Sequence, residues 1–159
     1  MRTGGAEVKP FLDSPLDERA AMFSPDGRWV VYAVKQPGRT EEVYVQPYPA
    51  TGGKWLISSS NGGMEPVWSP TGREIYYRTP DGRRVMVVTV SSDTTFAAST
   101  PRPVFEGQFT VGPGGFWSNY DISRDGREFL MLKPEQTEDS TRVTMVVNWV
   151  AELRRVAPH

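Results

Sequence analysis

Apolar positions along this chain come in short runs separated by turn-forming residues. The runs are "RWVVYAV" (28–34), "EVYVQPY" (42–48), "KWLISS" (54–59), "REIYYR" (73–78), "RRVMVVTV" (83–90), "RPVFEG" (102–107), "REFLML" (127–132) and "RVTMVVN" (142–148). Each is rich in β-branched and aromatic residues, too short for a helix, and bounded by Gly, Pro, Asp or Ser, which predicts strands joined by turns. Pro101 and Pro103 fit a sheet edge, where a missing N–H is tolerated. Near the end the period changes. Trp149, Val150, Leu153 and Val156 share one helical face behind Asn148 as N-cap, and Arg154 and Arg155 fall in the last turn, so a short helix is expected over 149–156.

One phrase recurs: "FSPDGRW" (23–29), "WSPTGRE" (68–74) and "ISRDGRE" (122–128). Pro fits the first central position of a turn, and Gly takes a positive φ without steric cost. The phrase serines, Ser24, Ser69 and Ser123, stand 45 and then 54 residues apart. The first interval matches the roughly 40–50 residues of a four-stranded propeller blade, and the second is lengthened by the Gly-rich "TVGPGGFWSN". Three units follow, over 18–59, 64–107 and 116–148, and "AEVKPFL" (6–12) is left as an orphan outer strand. The predicted fold is an all-β β-propeller of three four-stranded blades, half of a six-bladed ring, with one C-terminal helix.

Composition narrows the chemistry. The net charge is -1 with acidic and basic residues interspersed, so a basic nucleic-acid surface is not expected. There is no cysteine, and the single histidine is His159, the last residue, which argues against thiolate, His-based and multi-His metal chemistry. No stretch has the apolar length of a membrane span. The chain reads as soluble and without membrane contact, with an extracytoplasmic position left open for a longer parent.

The stretch "FSPDGRWVVYAV…EVYVQPYPATGGKWLISSSNGGMEPVWSPTGREIYYR" and the ending "YDISRDGREFLMLKP…VVNWVAELRRV" resemble the WD-repeat-like blades of the TolB-type propeller family. The nearest likeness is to propeller regions at the C-terminal ends of some bacterial eukaryote-like serine/threonine kinases. The resemblance runs from about Val8 to Val156. It implies a six-bladed, non-catalytic ring that binds proteins or peptides, as the sensor or scaffold part of a larger signalling protein. No kinase motif is present. Thr71 and Arg124 depart from the phrase where Asp and Pro are usual.

Asp26 and Asp125 are candidate carboxylates, but Asp in such a turn is what local hydrogen bonding selects. "GPGG" (112–115) lacks the Lys-Ser/Thr and helix of a phosphate loop. First strands line a propeller's channel, so Arg19, Glu65, Asn119 and Tyr120 are candidates for a polar ligand-binding rim. Their other reading is solvation or pairing with one another. Trp117, beside the Gly-rich insertion, is the candidate exposed aromatic. No catalytic residue, metal or cofactor is expected. The functional expectation is a protein- or peptide-binding module. The alternative is a hydrolase or lyase using carboxylates or a bound metal. Because three blades would leave two apolar faces open, a two-fold homodimer is expected, latched by 6–12 into a closed ring.

Overall fold

The computed structural model describes residues 10–91, 95–111 and 117–134. Among these the protein is all-β, with antiparallel strands in three open sheets and no helix. It follows that no described helix is long and apolar enough to cross a membrane.

The first sheet is a meander of β1 (Asp17–Phe23), β2 (Trp29–Lys35), β3 (Glu42–Pro47) and β4 (Trp55–Leu56), in that order. In the second, β5 (Met64–Trp68), β6 (Glu74–Arg78) and β7 (Arg84–Ser91) run side by side. The far edge of β7 is then shared. β8 (Ala97–Ala98) pairs Val90 and Ser91, and β9 (Arg102–Glu106) pairs Arg84–Val87. Ser99 bridges the break, its N–H donating to Thr89 O at 2.9 Å and its Oγ accepting from Thr89 N at 3.0 Å. The expected outer strand over 102–107 is thus β9, and the two-residue β8 is too short to have shown in the pattern. The third sheet pairs β10 (Tyr120–Ile122) with β11 (Phe129–Met131).

The apolar runs are near-continuous because the middle sheet is buried on both faces. From β6 and β7, Ile75, Tyr77, Val88 and Val90 pack with Val31, Val43, Val45 and Ile57 of the first sheet. The alternate residues Tyr76, Val85 and Val87 pack with Tyr120 and Ile122 of the third, and Phe105 and Phe129 seal that core. Strand alternation alone produces this, since successive side chains leave opposite faces. The outer face of the first sheet is also covered. Val30, Tyr32 and Val34 are buried beneath Phe11, Leu12 and Leu16 of the same chain.

That last contact alters one expectation. Pro10–Leu12 carry no strand, and Phe11 and Leu12 pack on the first sheet of their own chain. Residues 6–9 lie outside the described residues, as do the expected strand 142–148 and the expected helix 149–156.

The link from the first to the second sheet is tightly built. A Cβ on Gly63 would stand 2.6 Å from the Tyr77 ring and 2.8 Å from Ser58 Cβ. Only glycine allows that approach, and it brings Tyr77 Oη to accept the Ser59 N–H at 3.2 Å.

Candidate functional site

The first strands of the first two sheets break register at the same place. β1 shifts between Arg19 and Met22, and β5 shifts between Met64 and Val67. At each break one residue takes a left-handed conformation, Ala20 at φ 51° and Glu65 at φ 52°. Bulges of this kind re-aim a side chain, and here they turn Glu65 inward.

Glu65 and Arg78 form an ion pair at 2.9 Å with both side chains fully buried. Glu65 Oε1 also accepts from Asn119 Nδ2 at 2.8 Å. Arg78 Nη1 donates to Thr110 O at 2.9 Å, and Nη2 donates to Gly82 O at 2.6 Å. A buried ion pair is tolerable when its remaining donors and acceptors find partners, and most do here. The cluster ties β5, β6, the 79–84 turn, the segment after β9 and the start of β10 together. Tyr120 lies beside it, and burial, then the Glu65 charge, pushes its phenol well above the usual value. Its Oη has no partner among the described residues.

Glu65 is 1% exposed and Tyr120 6% exposed. The pairing alternative is what Glu65 and Asn119 adopt. Arg19 is ion-paired with Asp17 on its own strand. Trp117 is 69% exposed. It stands at a groove of about 230 Å³ where the three first strands converge, lined by Ala20, Ala21 and Met22, by Pro66 and Val67, and by Trp117, Ser118, Tyr120 and Asp121. Ser118 Oγ donates to Pro66 O at 3.2 Å and holds two of these strands together. The structure brings Trp117 and Tyr120 to this groove. Glu65, Asn119 and Arg19 are not in its lining.

Sequence reasoning missed Arg78. Its signal lay in the repeat: counted from the phrase serine, the places of Glu65 and Arg78 hold Ala20 and Ala33 in the first unit and Asn119 and Leu132 in the third. A charged pair that appears together where another unit has two alanines is a candidate for contact.

The phrase aspartates are occupied in their turns. Ser24 Oγ donates to Asp26 Oδ1 at 2.6 Å, the Arg28 N–H donates to the same oxygen at 3.0 Å, and the Trp29 N–H donates to Ser24 Oγ at 3.0 Å. Ser123, Asp125 and Arg127 repeat this at 2.6 and 3.2 Å. So does "TPDGRR" (79–84), where Thr79 Oγ1 donates to Asp81 Oδ1 at 2.5 Å and the Arg83 N–H donates to the same oxygen at 3.0 Å. That fourth copy is disguised by Thr in place of Ser, since either supplies the hydroxyl. Gly27, Gly72, Gly82 and Gly126 all take φ near +70°. The Ser24 hydroxyl, helped by the Arg28 N–H and guanidinium, outweighs partial burial and holds Asp26 down to about 2. Asp81 and Asp125 are held below their usual value chiefly by the Thr79 and Ser123 hydroxyls. Among the described residues no group of three or more His, Cys, Asp or Glu is placed to hold a metal ion.

No protein-family model matches this chain, and no curated protein matches it.

Proposed function

We propose that the chain is a non-enzymatic protein- or peptide-binding module, a partial TolB-type propeller that closes into a ring with a second copy. The groove beside Trp117 carries the binding reading. An indole 69% exposed over a cleft lined by Met22, Pro66 and Val67 has the composition of a recognition anchor. The ionisable groups in the described lining are the Asp121 carboxylate and the Tyr120 phenol, which burial keeps protonated. Such a groove offers shape and apolar contact to a side chain.

Closure with a second copy has separate support. Leu130, on the side of β11 turned away from the core, and Leu132, just past its end, are 71% and 52% exposed. Beside the first sheet, Phe23 and Tyr48 are 53% and 47% exposed and meet edge to face at 4.9 Å. Apolar patches at both ends of one stack suit association. The 45-residue repeat and its resemblance to TolB-type blades supply the ring geometry.

The binding test selects peptides from a displayed random library against the purified chain and measures them on a Trp117→Ala variant. The proposal expects selected peptides to compete for one site and to bind the variant at least about tenfold more weakly, about 1.4 kcal/mol. Peptides indifferent to Trp117 would overturn it.

A further inference from the structure

Glu41 stands just before β3, where the β2–β3 hairpin ends. Val31, Val43 and Val45 mark the face of the first sheet that is turned to the second. Strand alternation puts Ala33 and Lys35 on that face with Val31, and Glu41 with Val43. Cross-strand partners share a face, so Arg19, opposite Ala33, and Asp17, opposite Lys35, join them. One end of the apolar space between the two sheets is thus charged.

The backbone holds Glu41 in place there. Its carbonyl accepts the Gly63 N–H at 2.7 Å. A Cβ on Gly62 would stand 2.5 Å from that same oxygen, 2.9 Å from Thr40 Cβ and 3.1 Å from Pro80 Cγ. The hairpin, the 59–63 link and the 79–84 turn therefore meet closely at Glu41. Within this joint Glu41 Oε1 is buried and accepts no hydrogen bond among the described residues. Nor does Glu41 enter an ion pair among them. The charges that act on it are those of Arg19 and Asp17 from β1, Lys35 from β2 and Glu65 from β5. Arg19 is paired with Asp17, Glu65 is paired with Arg78 of β6, and Lys35 is exposed. From the 79–84 turn the close neighbour is the uncharged Pro80. Burial disfavours the charge on a carboxyl that lacks donors. Here burial, aided by Asp17 and Glu65, outweighs Arg19 and Lys35 and pushes the Glu41 carboxyl above its usual value.

We propose that Glu41 makes this joint respond to pH: protonated, it lets the hairpin close on the 59–63 link, and ionised, it loosens that contact. The sign is opposite to that of a turn aspartate. A carboxyl raised in the folded state gives stability that is complete below its unfolded value of about 4.3 and is lost as pH rises through the folded one. Acid therefore tightens the contact between the first two sheets. Glu41 lies outside the lining of the groove beside Trp117, so the device stands apart from the binding reading.

The test uses the full chain with ¹³C-labelled glutamate carboxyls, the Glu41 resonance being identified by Glu41→Gln. Its titration midpoint should lie above the ordinary value of about 4.3. Arg19→Gln should raise that midpoint further, since it removes one of the two positive charges that favour ionisation. Protection of the Gly63 N–H from hydrogen exchange, relative to core amides of β2 and β3, should fall with rising pH in the native chain. In Glu41→Gln it should stay constant. The variant should melt with the native chain near about pH 4 and above it near about pH 8, because only the native carboxyl ionises between them. A Glu41 midpoint at or below about 4.3 would overturn the proposal. So would Gly63 protection that varies with pH equally in both proteins, or melting temperatures that coincide at the higher pH.

Discussion

At the scale of single residues, a hydroxyl two places before an aspartate decides what that aspartate can do. Asp26 spends its carboxylate on Ser24 and on the N–H and guanidinium of Arg28. Its folded pKa lies below the ordinary value, at about 2, so the ionised form is the one the fold favours. The stabilisation it gives is complete above the unfolded pKa of about 3.9 and is lost as pH falls through the folded value near 2. Melting temperatures between about pH 5 and pH 2 should therefore fall less steeply in Asp26→Asn than in the native chain. Equal slopes would show that the turn carboxylate is not coupled to folding. This part of the structure was legible from sequence, because a Pro-x-Gly turn needs only local contacts to form. The Glu65–Arg78 pair was not, because polar residues near a strand end read as surface. Nothing local reports that a bulge turns Glu65 into the core.

At the scale of elements, the strands were legible wherever both faces are buried, since those runs are apolar throughout. The edges were harder to place. β8 is two residues long, and the outer position beside β7 passes from it to β9 with only Ser99 as a bridge. Joints between sheets depend on contacts distant in sequence. Glu65→Ala should cost about 3–5 kcal/mol, because it leaves the Arg78 charge buried without its partner. Urea unfolding measures this directly, and a midpoint unchanged from the native chain would return Glu65 to the solvent-facing rim that its sequence position suggested. Gly63→Ala is expected to cost about 1–3 kcal/mol, since its Cβ meets a ring and a Cβ that cannot both move. A native melting temperature in that variant would mean the joint between the first two sheets is looser than 2.6 Å implies.

At the scale of the whole molecule, three sheets stack so that each apolar face but one has a described cover. The N-terminal segment with Phe11, Leu12 and Leu16 caps the first sheet, the middle sheet is packed on both sides, and Leu130 and Leu132 leave the far side of β11 exposed. The sequence repeat pointed to two open faces. The cover on the first sheet was not legible, because "PFLDSPL" has too few alternating positions to declare where it packs. Ring closure would bring the exposed face of one copy toward the Phe23–Tyr48 edge of the other, with the N-terminal segment between the sheets. The measurement that tests the assembly most directly is the mass of the purified chain by light scattering across a range of concentrations. The account predicts twice 17.8 kDa, with dissociation favoured when Leu130 and Leu132 are both changed to Ser. A cooperatively folded species that stays at 17.8 kDa at every concentration would contradict it.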